Sequence, residues 1–154
     1  VPADLEAELD GLLAELREVH RKGASRRAAE ATRAVCRLAN RRFAEARPWE
    51  TFKTDPARAA AQVAEALDLL RLSAAAAWPF VPDLAERLLA ALGDTDVPPE
   101  LPERGRDTFG AVPAGGTLSD PGRPFPKFDG EWVAAQKARF GGGDGWSGVS
   151  GVCH

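Results

Sequence analysis

The residues of this chain whose type and spacing most clearly indicate a chemical role are arginines. Their spacing suits binding rather than catalysis. Arg26, Arg33, Arg37 and Arg41 follow one another at steps of seven, four and four residues, which places them on one face of a helix. A row of guanidinium groups at this spacing can bind successive phosphates of a polyanion. Because the chain is rich in arginine, a solvated helix surface explains the same spacing equally well, and the row alone does not separate the two interpretations.

The charge of the 154-residue chain is unevenly distributed. Between Arg17 and Arg47 ten basic residues stand against three acidic ones, so this window carries +7. The remaining ten basic and twenty acidic residues carry −10, and the whole chain carries −3. A local excess of this kind inside an acidic chain predicts a polyanionic partner that binds at one place.

Trp49 follows Pro48 in the turn after the basic region and admits two interpretations. Large aromatic side chains are usually buried, so Trp49 by itself favours a plug at the end of a helical bundle. Beside a row of arginines, an exposed indole offers a stacking surface for an unpaired RNA base, and such stacking contributes about 1–3 kcal/mol per base. The arginine row therefore shifts the expectation towards RNA binding at Trp49.

Common catalytic and metal-binding patterns are missing from the sequence. Its histidines are His20 and His154, and it contains no CxxC, HExxH or P-loop motif. The GxGxxG match at residues 143–148 follows no strand and precedes no helix, so we interpret it as accidental. The adjacent Cys153 and His154 are too few ligands for a metal site. We expect no catalytic residue, no metal site and no cofactor in this chain.

The cysteine content and the absence of targeting segments indicate the cellular compartment of the chain. Cys36 and Cys153 are its two cysteines, so a disulfide framework is excluded and a reducing compartment is favoured. The sequence has no secretory signal and no membrane-spanning stretch, and we expect a cytoplasmic location. The start at Val1 and the absence of methionine indicate a piece of a longer polypeptide or a processed product.

Helical periodicity positions the candidate residues. The first helix is predicted at residues 4–21 and the second from Ser25 to about Ala46, each with one apolar face. The first face comprises Leu5, Leu9, Leu12, Leu16 and Val19, and the second comprises Ala28, Thr32, Val35, Cys36, Ala39 and Phe43. Asp55 and Pro56 predict the start of a third helix that ends near Ala77.

A fourth, shorter helix is predicted after Pro82 and stops at Gly93, which completes an antiparallel bundle over residues 1–93. Trp78 and Phe80 flank Pro79 and are expected to form an apolar plug between the third and fourth helices. Thirteen of the thirty-seven residues at 94–130 are Gly or Pro, which predicts an extended segment lying on the bundle or on a neighbour. Residues 131–140 form a short helix with Trp132, Val133 and Phe140 as apolar contacts, and residues 141–154 a flexible tail.

Several motifs resemble those of the anticodon-binding helical domain of methionyl-tRNA synthetases, which are class I aminoacyl-tRNA synthetases. The run Leu38–Phe43, followed by Glu45–Glu50 and Lys53, is similar to the signature ANRY…E.APW…K. The turn Trp78–Pro82 resembles the family's APFMP turn, Leu88–Gly93 resembles its helix end, and Pro124–Phe128 resembles its LFPRI segment. Residues 131–141 resemble the ending that follows, so the likeness covers residues 4–141.

The resemblance implies an all-α anticodon-binding bundle at the C-terminal end of a methionine–tRNA ligase. Its partners would be a tRNA with a methionine-type anticodon and an N-terminal catalytic domain of the same polypeptide that binds ATP. Because the HIGH and KMSKS-type motifs are absent, this chain would not itself form methionyl-adenylate. The implied RNA-contacting residues, together with the arginine row, are Trp49, Pro48, Arg33, Arg37, Arg41 and Asn40.

Two other functions fit the sequence. The bundle could be a structural support in a synthetase-like module of a biosynthetic enzyme, which activates an amino acid without charging tRNA. It could also be a free-standing helical interaction protein. Binding of tRNA beyond what the modest charge predicts separates anticodon recognition from the structural support. An open reading frame that continues upstream of Val1 would argue against the free-standing protein.

Overall fold

A computed structural model of the protein describes residues 2–113, 115–123, 125 and 128–140. The regular structure over these residues is helical, without a strand, which confirms the all-α prediction. The elements are α1 (Ala3–Arg21), α2 (Ser25–Ala46), α3 (Pro48–Thr51), α4 (Pro56–Ala77), α5 (Pro82–Ala91), a 3-10 turn (Gly105–Thr108) and α6 (Gly130–Phe140). The predicted tail at 141–154, with Cys153 and His154, lies outside the described residues. No helix in the described ranges is both long and apolar enough to cross a membrane.

The charges of α1 favour its helical conformation. Asp4 and Glu6 lie in its first turn and His20 and Arg21 in its last, so the acidic side chains face the positive end of the helix dipole and the basic ones the negative end. Gly23 follows the helix with a φ of 63°, a left-handed conformation that a residue without Cβ adopts at little cost. The chain then reverses into α2.

Contacts between side chains show that α2 runs antiparallel to both α1 and α4. Arg41, near the C-terminal end of α2, forms an ion pair with Glu8, near the N-terminal end of α1, at 2.8 Å. Thr32, in the first half of α2, donates a hydrogen bond to the carbonyl of Ala76 in the last turn of α4 at 3.1 Å. That bond satisfies one of the carbonyls that a helix end leaves unpaired. The antiparallel packing predicted from the short connections is confirmed.

The start of α4 follows the capping pattern expected from its sequence. Asp55 accepts a hydrogen bond from the backbone N–H of Arg58 at 2.9 Å, and Pro56 occupies the first helical position. Along α4, small buried residues bring the helices close together, notably Ala59, Ala74, Ala75 and Ala76.

The core lies where α1, α2 and α4 meet. Its buried members are Leu5, Leu9, Leu13, Leu16, Val19, Ala28, Ala31, Val35, Leu38, Leu69, Leu72 and Ala76. The predicted face of α1 contained Leu12 in place of Leu13, whereas Leu13 is fully buried and Leu12 only partly. The 3-10 turn packs on α1 beside Glu6, Leu9 and Asp10, so α1 is covered by a second neighbour in addition to α2. The prediction for Phe43 is also wrong, because 43% of its surface is exposed.

The turn between α4 and α5 is not the apolar plug that the sequence predicts. Trp78 is half-buried, and its indole N–H donates to Glu86 at 3.1 Å. Phe80 is 41% exposed, with its ring 6.3 Å from that of His20. The backbone through this turn keeps helix-like hydrogen bonds to Ala77, and residues two apart in such a turn point to opposite sides. The two rings therefore cannot both face inward.

Carboxylates of the bundle fix the Gly/Pro-rich segment that follows Gly93. Asp10 of α1 accepts the N–H of Gly105 at 2.6 Å. Asp68 of α4, which is buried, accepts the N–H groups of Gly110 and Val112 at 2.8 and 2.9 Å. Gly105 lies so close to α1 that a Cβ there would collide with its backbone. At residues 105–112 the segment lies on the bundle, one of the two positions that the sequence left open.

The chain divides after Gly122 into two compact units. In the second unit α6 spans Gly130–Phe140, and Trp132 stacks on Phe128 with ring centroids 3.9 Å apart. The predicted apolar contact of Trp132 is therefore present. Phe140 is 71% exposed and Val133 37% exposed, and α6 has no buried residue among those described.

Candidate nucleic-acid interface

The turn that presents Trp49 depends on one residue in a left-handed conformation. Arg47, with φ 44° and ψ 58°, ends α2 and precedes α3. Few L-residues adopt these angles, and here they turn the chain sharply between two helices. Pro48 then occupies the first position of α3, where its missing N–H is not needed. The Arg47 carbonyl accepts the N–H groups of Glu50 and Thr51 at 2.9 and 3.2 Å, which fixes α3 at the end of α2.

Pro48 and Trp49 are adjacent in sequence but differ in burial. Pro48 is buried, whereas 53% of the Trp49 surface is exposed. The Trp49 ring meets that of Phe43 edge-on, with centroids 5.7 Å apart and planes at 66°. Such an edge contact holds the indole in place and leaves ring surface open for another flat group. The interpretation of Trp49 as a core plug is therefore wrong.

Arg33 and Arg37 lie on the exposed surface of α2, one turn apart. Neither side chain makes a hydrogen bond or ion pair with any residue that the structure describes. Their guanidinium groups are therefore available to an external anion. Because successive turns of a helix rise about 5.4 Å, the two groups are placed to bind neighbouring phosphates of one strand.

The other two arginines of the row are already paired. Arg41 donates to both carboxylate oxygens of Glu8 at 2.8 Å, and this hydrogen bonding raises the pKa of Arg41 above its ordinary value. Arg26 lies 3.4 Å from Glu30 in a pair that is largely exposed. Exposed pairs contribute little stability and exchange readily with other partners. Arg41 therefore joins α2 to α1 while remaining at the surface, and the unpaired part of the row is Arg33 and Arg37.

Asn40 is exposed and lies at the rim of an apolar groove between α2, α4 and α5, the Asn40 groove, with a volume of about 580 Å³. Its lining comes from Cys36, Phe43, Leu70 and other apolar residues of the three helices. Phe43 also lines a second groove of about 1000 Å³ that contains Trp49, the Trp49 groove. The structure thus brings Asn40, Phe43 and Trp49 to one continuous surface.

The Trp49 groove contains a residue that the sequence analysis missed. Phe52 lines it together with Trp49 and is 64% exposed. The two rings are three residues apart in and just after α3, a spacing that puts side chains on the same face of a helical turn. That spacing is visible in the sequence, but it indicates a shared face only if the residues are helical, and the one-turn helix α3 was not predicted.

The arrangement suits non-covalent recognition of an anionic, ring-bearing ligand. Over the part of the chain that the structure describes, no group of three or more His, Cys, Asp or Glu residues is placed to bind a metal ion. Exposed rings at Trp49 and Phe52 offer stacking surfaces, and Arg33 and Arg37 offer positive charge. Single-stranded nucleic acids are bound by this combination of rings and basic side chains.

Comparisons with known proteins point to one family. The profile of the family described as the anticodon binding domain of methionyl tRNA ligase matches residues 2–145. The chain is 40% identical over 118 residues to the methionine–tRNA ligase of Ruegeria sp. (strain TM1040), an alignment that covers 77% of this chain and 20% of the relative. It is 34% identical over 145 residues to methionine–tRNA ligase 1 of Acaryochloris marina (strain MBIC 11017), covering 92% of this chain and 26% of the relative.

The methionine–tRNA ligase of Paracoccus denitrificans (strain Pd 1222) is similar to a like degree, with 38% identity over 117 residues, or 76% of this chain and 20% of the relative. The chain therefore spans about a fifth to a quarter of the length of the curated relatives that it matches. No solved structure matches the chain.

Proposed function

The chain belongs to the family of anticodon-binding domains of methionyl-tRNA ligase, and from this membership we propose that it binds the anticodon loop of a methionine-type tRNA. The observation that carries the proposal is the exposed Trp49 ring, held at its edge by Phe43, on the same helix–turn unit as Arg33 and Arg37. An indole with a free face stacks on an unpaired base, and unpaired guanidinium groups bind the adjoining phosphates.

Each candidate residue has a distinct part in this proposal. Trp49 stacks on an anticodon base, and the buried Pro48 fixes the turn that presents the ring. Arg33 and Arg37 engage phosphates, and Arg41 supports them while it links α2 to α1 through Glu8. Asn40, at the rim of its groove beside Phe43, is placed to hydrogen-bond a base edge or a ribose.

We assign the catalytic part of the activity, which uses ATP, to another part of a longer polypeptide. Because relatives of this chain are methionine–tRNA ligases four to five times its aligned length, we place an ATP-binding catalytic domain elsewhere in the parent protein. The present chain would then need no cofactor of its own, and the parent would act in the cytoplasm, where tRNA is charged for protein synthesis.

The proposal is tested by titrating the 154-residue chain into a labelled RNA hairpin whose loop carries the CAU anticodon. Fluorescence anisotropy gives the dissociation constant directly and is unaffected by the several tryptophans of the chain. Trp49→Ala should weaken binding by about 1–3 kcal/mol, because one stacked base is lost. Equal dissociation constants for the wild type and Trp49→Ala would contradict the stacking role, and absence of hairpin binding by the wild type would leave the bundle as a structural support.

Arg37→Ala should act mainly on the salt dependence of binding. Each phosphate contact to a single strand contributes about 0.7 to the slope of log K against log salt, so the slope should fall by about that amount. Arg106→Ala is the matched control, because it removes the same charge from the 3-10 turn, where the guanidinium lies beside Asp107. A slope reduced equally by both variants would show a general charge effect rather than a phosphate contact at Arg37.

A further inference from the structure

Phe52 is the most exposed aromatic residue among those described before Gly122, with 64% of its surface accessible. Its ring leaves a large apolar surface in contact with water, and covering that surface with a ligand is favourable. Phe52 directly follows α3, three residues after Trp49, and both rings line the Trp49 groove. The groove therefore contains two open rings one helical turn apart.

The walls of the Trp49 groove leave room beside these rings. Its lining includes the small residues Ala59, Ala60 and Ala64 of α4 and Gly115 and Gly116 of the following segment, together with larger apolar residues such as Val63 and Leu67. The groove has a volume of about 1000 Å³, which is room for a flat group beside the two rings.

The chemistry of the groove favours an uncharged ring over a charged group. Among the described residues its one charged lining residue is Asp68, which is buried and whose two carboxylate oxygens already accept backbone N–H groups, from Gly110 and Val112. At the edge of α3, Glu50 is paired with Arg47 at 3.2 Å. The groove thus presents apolar and aromatic surface while the positive charge lies outside it on α2.

We propose that Phe52 is a second base-stacking residue, and that the Trp49 groove receives a second unpaired nucleotide of the loop whose first base stacks on Trp49. This inference rests on the function proposed above. Two rings on one face of a short helical turn suit two nucleotides that lie close together in a loop. Because stacking is tolerant of base identity, Phe52 would add affinity and hold the loop open, with little selection among the four bases.

The test compares substitutions at Phe52 that separate a ring from apolar volume. Phe52→Ala should weaken binding of the CAU hairpin about 5- to 150-fold, which corresponds to the loss of one stacked base. Phe52→Tyr keeps a ring of the same size and should bind within about twofold of the wild type, whereas Phe52→Leu keeps apolar bulk without a ring and should bind like Phe52→Ala. Since Phe52 is exposed, thermal melts of these variants should match that of the wild type.

Phe80→Ala is the matched control. Phe80 is also an exposed phenylalanine next to a helix end, but it lies beyond the C-terminal end of α4, whereas Trp49 and Phe52 lie near its N-terminal end. The length of α4, about 33 Å for 22 residues, separates them. The dissociation constant of Phe80→Ala for the CAU hairpin should equal that of the wild type.

Hairpins with an abasic site at each loop position identify the nucleotide concerned. At the position that stacks on Phe52, the losses of binding free energy caused by the abasic site and by Phe52→Ala should not add. At other loop positions the two losses should add. A position that couples to Phe52 and is distinct from the one coupled to Trp49 supports a second stacked base.

The outcomes distinguish this inference from the proposed function. If Trp49→Ala weakens binding and Phe52→Ala does not, the second stacking site is wrong and the proposed function stands. If Phe52→Leu binds as tightly as the wild type, Phe52 contributes apolar contact rather than stacking, and the inference is overturned. If the wild type does not bind the hairpin, or binds it independently of both rings, the proposed function fails and the inference fails with it.

Discussion

Two turns of the molecule combine tryptophan with proline and use them in opposite ways. At the Pro48–Trp49 turn the proline is buried and the indole is 53% exposed. At the Trp78–Pro79 turn the proline is exposed and the indole is half-buried, with its N–H bonded to Glu86 of α5. The first turn presents a ring to solvent, and the second uses one to join two helices.

The difference comes from the order of the two residues and from the helix after each turn. Pro48 begins a helix and packs inward, so the next residue points outward from the one-turn α3. Trp78 directly follows α4, and α5 carries Glu86, eight residues later, whose carboxylate accepts the indole N–H. The Trp78 indole is thus structural because a neighbouring helix supplies its polar partner, whereas the exposed Trp49 ring makes only an edge contact with Phe43 among the described residues.

The largest expected effect in this comparison is on stability at the second turn. Trp78→Ala should lower the free energy of unfolding by about 2–3 kcal/mol, because a half-buried ring and its hydrogen bond are lost. Trp78→Phe, which keeps a ring and removes the N–H, should cost about 1 kcal/mol. Urea unfolding followed by circular dichroism measures both.

For these Trp78 variants the dissociation constant for the CAU hairpin is the control. It should remain that of the wild type under conditions where the variants are folded, because Trp78 lies at the far end of α4 from Trp49. A loss of hairpin binding in the folded Trp78→Phe variant would contradict the division of roles between the two turns.

An intermediate effect is expected from the backbone of the first turn. Arg47→Gly and Arg47→Ala both remove the exposed pair with Glu50, but only glycine adopts a φ of 44° without strain. Arg47→Gly should therefore be more stable than Arg47→Ala by about 1 kcal/mol.

Ala77, the residue before the Trp78–Pro79 turn, should respond in the opposite way. There glycine should be less stable than alanine, whereas at Arg47 glycine should be more stable than alanine. Ala77 ends α4 in helical conformation, so Ala77→Gly should reduce the free energy of unfolding by about 1 kcal/mol. If glycine were destabilising relative to alanine at both positions, the left-handed turn at Arg47 would not store strain.

The helices could be predicted from sequence because their signals are local. The Asp55–Pro56 cap and the helical spacing in α1 each depend on neighbouring residues; the cap is confirmed, and so are four of the five residues predicted for the apolar face of α1. Leu13 was missed, and α1 also contacts the 3-10 turn at Gly105, about ninety residues away in the chain. No pattern within α1 reveals that distant contact.

The candidate site was predictable only in part for the same reason. Residue types indicated the arginine row and Trp49, but the pairing of Arg41 with Glu8 depends on how α1 packs against α2. Phe52 was not singled out, because its exposure depends on a four-residue helix too short to carry a periodic signal. The outward direction of Trp49 likewise required the left-handed turn at Arg47.

The smallest expected effect is on stability at the first turn, and it sharpens the comparison most directly. Trp49→Ala should change the free energy of unfolding by at most about 1 kcal/mol, because the indole is exposed and touches Phe43 only through an edge contact. The same variant is expected to weaken hairpin binding, so it should impair binding more than stability, whereas Trp78→Ala should impair stability and leave binding unchanged. Unfolding in urea provides the measurement, and a stability loss at Trp49 equal to that at Trp78 would show that both rings are structural despite their different exposure.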